Sequence, residues 1–131
     1  MISNFSILNK TSKRVPRTLL VRVFSLVSKK HTMEVSLVFL DDRAMRGINR
    51  KWHNRDAQAN VLAFLLDSSV GEVVINPHEA EREARQAGES YNRRMAYLFL
   101  HGLLHLYGYD HKTEQETKKM ERKEQEVLNH T

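Results

Sequence analysis

The 131-residue sequence contains no cysteine. This absence excludes disulfide bridges, thiolate metal sites and cysteine nucleophiles, and it agrees with a protein that works in a reducing compartment. Any metal site of the kind that zinc prefers must therefore be built from histidine.

Long hydrophobic runs are also missing. The two longest apolar stretches, residues 19–27 and 98–106, are interrupted by arginine or histidine and are too short to span a bilayer. The first ten residues lack the charged and apolar layout of a secretory signal. With 40% hydrophobic residues the chain can build one core, so we expect a single domain over residues 1–131, no membrane partner and a cytoplasmic location.

The first 30 residues contain no aspartate or glutamate but seven lysines and arginines, so the excess positive charge of the chain lies there. Clustered cations attract the phosphates of nucleic acids. We therefore predict that Arg14, Arg17 and Arg22 contact a nucleic acid, either RNA or DNA, and the alternative is a helix face that is simply solvated.

Hydrophobic periodicity predicts four strands and five helices. The predicted strands are residues 2–8, 33–40, 61–66 and 72–75. The predicted helices are residues 14–29, a helix after Asp41 and Asp42, residues 77–87 behind Asn76, residues 90–107, and a last helix after Thr113.

Two of these helices carry particular expectations. The helix of residues 90–107 is apolar almost all round and should be the buried centre of the fold. The last helix has largely cancelling charges, so we expect it to be mostly solvated, with Met120, Val127 and Leu128 as its contacts.

Three of the seven histidines lie within the segment His-Gly-Leu-Leu-His-Leu-Tyr-Gly-Tyr-Asp-His, at positions 101, 105 and 111. His101 and His105 occupy the same helix face because they are four residues apart. Gly108 can then end the helix in a left-handed turn and return His111 to the same ion. Three imidazoles leave one tetrahedral position open, as in catalytic zinc sites; the alternative is three histidines without a metal.

This histidine spacing, with its glycine, is similar to the HExxHxxGxxH motif of metzincin proteases. The second position here is Gly102, so the glutamate that serves those proteases as general base is missing. Peptide hydrolysis is disfavoured for that reason. A metal ion on three histidines remains suited to binding phosphate oxygens and polarising a phosphodiester.

The same segment resembles the HGxLHLxGYDH signature of the YbeY family of bacterial endoribonucleases. The likeness extends over roughly residues 35–128 and includes Ile48, Asn49, residues 61–64, residues 71–73 and Met120. It implies an α+β fold with a small mixed sheet of four strands packed by about five helices, and one zinc ion on the three histidines. It further implies single-stranded RNA as substrate, 3′-end maturation of 16S ribosomal RNA, ribosome quality control, and small-subunit ribosomal proteins as possible partners.

The chain departs from the family pattern in the segment after Asn49. The family has an arginine where this chain has His53, which is only partly cationic at neutral pH, and Arg55 could replace it in gripping RNA. Two hydroxyl side chains of the family are absent between Gln58 and Phe64. The alternative is that these positions only cap a strand.

No general base is evident from the sequence. Asp110 and His53 are the candidates for catalytic roles, although a carboxylate beside a histidine ligand more often orients an imidazole ring. Two function classes besides the zinc-dependent endoribonuclease stay open: a non-catalytic ribosome-associated RNA-binding factor with a structural metal, and the disfavoured metalloprotease. Copper, nickel and cobalt accept the same ligands as zinc, and the sequence does not determine the oligomeric state.

Overall fold

A four-stranded mixed sheet organises the part of the chain that the computed structural model describes, residues 4–53 and 60–131, with the backbone alone described at positions 49, 52 and 53. The strands are β1 (Phe5–Asn9), β2 (Glu34–Phe39), β3 (Val61–Asp67) and β4 (Val70–Ile75), in the order β1-β2-β4-β3. Strands β1, β2 and β4 are parallel, and β3 pairs antiparallel with β4. The predicted mixed sheet is confirmed.

Five helices accompany the sheet, as predicted: α1 (Arg17–Val27), α2 (Asp42–His53), α3 (Pro77–Ala87), α4 (Tyr91–Leu106) and α5 (Glu114–Asn129). Two of these helices begin directly after the capping residues predicted from the sequence. Asn76 accepts hydrogen bonds from the backbone of His78 and Glu79, and Thr113 forms a capping box with Glu116. No helix in the described ranges is long and apolar enough to cross a membrane.

Two boundaries differ from the prediction. Helix α1 begins at Arg17, because Pro16 is its N-cap and does not enter the first turn. Strand β4 begins at Val70, so that Gly71 belongs to the strand and not to the preceding turn. The reason is packing: a Cβ at Gly71 would lie 2.8 Å from Cδ1 of Leu106, so only glycine lets α4 approach the strand here.

The two faces of the sheet carry separate cores. Alternate residues of β2 and β4, such as Leu37 and Val73, pack with α1, α4 and α5 on one face. On the other face Val74 packs with Met45 of α2. Helix α4 is the buried centre that the sequence predicts, with nine buried residues. The sequence predicts Met45, Ile48 and Trp52 as the apolar stripe of α2. Met45 and Ile48 pack in this second core, and the side chain of Trp52 lies outside the described ones.

Candidate metal centre

The end of α4 is shaped by two backbone hydrogen bonds that reverse the chain. The Tyr109 N–H donates to the Leu104 carbonyl at 3.0 Å, and the Gly108 N–H donates to the His105 carbonyl at 3.1 Å. Gly108 has a φ of +97°, a conformation that L side chains rarely adopt. The left-handed turn predicted at Gly108 is therefore confirmed, and it brings His111 back alongside α4.

His101, His105 and His111 converge. The ring centroids of His101 and His105 are 4.8 Å apart, those of His105 and His111 are 5.1 Å apart, and those of His101 and His111 are 6.2 Å apart. Their ligand atoms all lie within 4.8 Å of one another, so the group could hold a metal ion. Imidazole nitrogens without thiolates fit zinc and its neighbours in the transition series.

The environment of His105 favours the neutral imidazole that a metal requires. Burial lowers the pKa of His105 below its ordinary value, and the nearby rings of His101 and His111 lower it further when they are charged. The charge of Asp110 acts in the opposite direction but is a smaller influence. A metal ion that bound here would therefore have little competition from a proton on His105 at neutral pH.

A buried carboxylate on α5 contacts the first histidine. An oxygen of Glu124 lies 2.7 Å from Nδ1 of His101. Glu124 is not among the site residues predicted from the sequence, because the cancelling charges of α5 predict a mostly solvated helix. The signal was present, since position 124 falls on the same helical stripe as Met120, Val127 and Leu128, all of which are buried as predicted.

Asp110, the predicted orienting or catalytic carboxylate, makes a different contact. Its Oδ1 accepts a hydrogen bond of 2.7 Å from the backbone N–H of His111, and its Oδ2 lies 3.8 Å from Nζ of Lys112. Among the described residues, the carboxylate in hydrogen-bond contact with a cluster imidazole is that of Glu124. A catalytic role for Asp110 stays a prediction.

Gly102 lies on the face of α4 that meets the sheet. A Cβ at this position would lie 2.8 Å from Cγ1 of Val73 and 3.1 Å from Cγ2 of Val61. The position at which a metzincin carries its glutamate thus lies in a close contact between helix and strands. A side chain at this position would force Val73, Val61 or α4 itself to shift.

The predicted RNA-binding arginines of the N-terminal segment are not gathered around the histidines. The Arg14 carbonyl accepts a hydrogen bond from the hydroxyl of Tyr91, the first residue of α4, which is about 20 Å along the helix from His105. Arg17 begins α1 three residues later, and Arg22 donates two hydrogen bonds to the carbonyl of His130. RNA contact by these arginines stays a prediction.

The far end of α1 reaches the histidine end of α4 instead. Ser28 and Tyr107 share a hydrogen bond of 2.7 Å between their hydroxyls, and His31 stacks on the Tyr107 ring at a centroid distance of 3.6 Å. Lys29 and Lys30 follow Ser28 directly in the chain, and both are exposed. They belong to the basic segment but are not among the arginines predicted to bind the nucleic acid.

The predicted residues of the segment after α2 can be placed only in part. The backbone of α2 ends at His53, but the side chain of His53 and the whole of Arg55 lie outside the described residues. Asn60 donates to Glu83 at 2.8 Å, and its carbonyl accepts from the Asn76 N–H at 3.1 Å. Asn60 therefore anchors the start of β3, which agrees with the strand-capping alternative at that position.

Comparisons with known proteins decide the family. A family model described as Endoribonuclease YbeY matches residues 3–131. The chain belongs to the YbeY endoribonuclease family. The resemblance drawn from the histidine segment is thereby confirmed, and the match also includes the N-terminal third of the chain.

Individual relatives within the YbeY family agree. The chain is 46% identical over 106 residues to Endoribonuclease YbeY of Pelotomaculum thermopropionicum. This alignment covers 72% of this chain and 70% of the relative. It is 31% identical over 140 residues to Endoribonuclease YbeY of Francisella tularensis subsp. novicida, covering 95% and 86% respectively.

A solved structure shares the fold. The solution structure of TM1509 from Thermotoga maritima aligns with a TM-score of 0.72, covers 95% of this chain and 86% of its own, and is 24% identical in sequence.

Proposed function

We propose that this protein is a zinc-dependent endoribonuclease that cleaves single-stranded RNA, with one ion per chain bound by His101, His105 and His111. The observation that carries the proposal is the convergence of these three imidazoles at the end of a buried helix. Membership of the YbeY family supports RNA as the substrate and hydrolysis of a phosphodiester as the reaction.

The residues of the site have separable tasks in this proposal. A bound divalent ion supplies a Lewis acid that polarises a phosphodiester and makes bound water more acidic. His101 and His105 are held by the packed helix α4, while the Asp110 contact fixes the backbone of His111. Asp110 and His53 are the proposed groups for proton transfer or phosphate contact, since the chain has no glutamate at position 102.

Holding the RNA backbone is assigned to cations. The proposed contacts are Arg14, Arg17, Arg22 and Arg55, as predicted from the sequence, together with Lys29 and Lys30. The two lysines are added because they adjoin the junction of α1 with Tyr107 at the histidine end of α4. Phosphate binding by such residues is electrostatic and weakens as salt is added.

The biological place of this activity is a further part of the proposal. We assign it to 3′-end maturation of 16S ribosomal RNA and to ribosome quality control in the cytoplasm, in contact with small-subunit ribosomal proteins. The support for this assignment is the likeness of the histidine segment to the YbeY signature and the basic N-terminal segment.

One other function is favoured by a specific observation. His101 contacts α5 and His111 lies beyond the turn at Gly108, so an ion on the three histidines would join α4, the turn and α5. A structural metal would act in this way, and the protein would then bind RNA without cleaving it. A metalloprotease is disfavoured because position 102, in close contact with the sheet, is a glycine and not the glutamate of the metzincins.

The test uses the full chain with labelled single-stranded RNA and, separately, with an unfolded protein substrate, each with and without a chelator. We expect cleavage of RNA alone, lost with the chelator and restored by zinc. The variant His105→Ala should lose most metal binding and cleavage because it removes a central ligand, whereas the matched variant His130→Ala, at an exposed position after α5, should retain both.

Other outcomes of that test are equally informative. RNA binding without metal-dependent cleavage would support the non-catalytic factor, and cleavage of the protein substrate would support the protease. Survival of both zinc binding and RNA cleavage in His105→Ala would contradict the proposed metal centre.

A further inference from the structure

Glu124 is set apart from the other acidic residues of α5 by its burial. It is 5% exposed, whereas Glu114, Glu116, Glu121 and Glu126 are all exposed. Removing a carboxylate from water is unfavourable unless a partner compensates for the lost hydration. The compensating partner in this structure is His101, at 2.7 Å.

The contact fixes which nitrogen of His101 is available. Nδ1 faces the Glu124 carboxyl group, and an ionised carboxylate only accepts hydrogen bonds, so the contact favours the tautomer that carries its proton on this nitrogen. Nε2 is then the nitrogen left to act as a metal ligand. A hydrogen bond on one ring nitrogen thus selects the tautomer and the rotation of the ring at the same time.

Glu124 lies on the buried face of α5, so the packing of this helix determines its position. Met120, Val127 and Leu128 are buried on the same stripe of the helix. The capping box of Thr113 and Glu116 defines where α5 starts, and the His130 carbonyl after its end accepts two hydrogen bonds from Arg22. The Glu124 carboxylate therefore contacts His101 from a helix whose two ends are both fixed by hydrogen bonds.

We propose that Glu124 is the positioning residue of the metal centre, which holds His101 with Nε2 directed to the ion without itself touching the ion or the RNA. This inference rests on the proposed function, because it requires His101 to be a metal ligand. Carboxylate partners of histidine ligands commonly alter metal affinity by about 10–100-fold, so the effect should be measurable in binding alone.

The experiment measures metal binding before activity. The variants are Glu124→Ala, which removes the contact, and Glu124→Gln, which keeps an acceptor oxygen and nearly the same shape but no charge. The matched control is Glu121→Gln, which removes a charge from an exposed position on the same helix. Zinc affinity is measured by competition with a chromogenic chelator, and the visible spectrum of the cobalt-loaded protein reports ligand geometry.

We expect Glu124→Ala to lower zinc affinity by about 10–100-fold and to change the cobalt spectrum. Glu124→Gln should show a smaller loss, and Glu121→Gln none. Nitrogen-15 NMR of the metal-free protein should find His101 protonated at Nδ1 in the wild type and as a mixture of tautomers in Glu124→Ala, which a purely structural role would not require.

The results that overturn the inference are distinct from those that overturn the metal centre. If the wild type binds no zinc, the proposed function fails. If the wild type binds zinc but both Glu124 variants bind within about twofold of it, with the same cobalt spectrum, only the positioning role fails. If Glu124→Ala does not fold, the same criterion applied to Glu124→Gln decides. Lower thermal stability with unchanged affinity would also overturn the role.

Discussion

The two ends of α4 are held in different ways. At the first end, the Tyr91 hydroxyl donates to the Arg14 carbonyl, and Lys13 lies over the Tyr91 ring while pairing with Glu81 at 2.8 Å. Toward the second end, Gly102 lies directly against β3 and β4, and His101 meets the buried Glu124. The first end depends on polar contacts near water, and the second on close packing together with a buried polar contact.

This difference separates the basic residues into two kinds. Lys13 and Arg22, although counted as part of one positive segment, are engaged in contacts within the protein. Lys29 and Lys30 lie exposed near the histidine end. The fold thus divides this clustered positive charge into cations that contact the protein itself and cations exposed near the histidine end. Arg22 belongs to the first group and is also a proposed RNA contact.

The largest effect should follow from Gly102→Ala. The added methyl group would meet Val73 and Val61, so we expect the free energy of unfolding to fall by about 1–3 kcal/mol, together with weaker metal binding. Gly47→Ala is the control, because among the described residues no atom beyond its own helix backbone and chain neighbours lies within 4 Å of the new Cβ, and α2 should gain stability. Chemical denaturation measures both, and equal stability of the two variants would contradict close packing at Gly102.

An intermediate effect should distinguish the two groups of cations. Replacing Lys29 and Lys30 by alanine should weaken single-stranded RNA binding by about fivefold to tenfold and reduce its salt dependence, because two phosphate contacts are lost. The double variant Arg14→Ala, Arg17→Ala is the comparison, and it should weaken binding less because these residues lie near Tyr91. Fluorescence anisotropy at two salt concentrations provides the measurement. A larger loss in the arginine variant would reverse this assignment.

The smallest effect on stability should come from the ion pair of Lys13 with Glu81, near the first end of α4. The hydrogen bond from Lys13 lowers the pKa of Glu81, so the folded state favours the ionised carboxylate more than the unfolded state does. The pair therefore adds stability above the ordinary glutamate pKa of 4.5, and this contribution is lost as the pH falls below that value. Lys13→Ala should be slightly less stable at pH 7 and should lose less stability on acidification.

Thermal unfolding at neutral and acidic pH measures this difference, with Lys10→Ala as a control for the loss of one positive charge. Because Glu81 is only partly buried at the surface, added salt should reduce the effect. If the thermal stability of the wild type and of Lys13→Ala depended on pH in the same way, the ion pair would make no contribution to stability.

The features that the sequence predicted correctly are local ones. The shared face of His101 and His105 follows from helix periodicity, and the reversal at Gly108 follows from the left-handed conformation that glycine permits. The order and type of all nine elements in the described ranges could likewise be predicted from alternation, helical periodicity and caps.

The features that it did not predict depend on how elements pack. Glu124 meets His101 only because α5 folds back along α4. In the sequence, Gly102 shows only that the metzincin glutamate is absent, and its close contact with the sheet is seen only in the fold. The distance of Arg14 from the histidines depends on which end of α4 neighbours the start of α1. Periodicity along one element does not contain these relations between elements.

The close approach at Gly71 and Gly102 also limits how the histidine centre can adjust itself. With Leu106 lying against Gly71 and Val73 against Gly102, α4 has no clearance to slide or roll on the sheet. The positions of the His101 and His105 imidazoles are consequently fixed by the packing of α4. A metal ion bound at this centre would therefore meet these two fixed imidazoles and a third, that of His111, at an exposed position beyond the turn at Gly108.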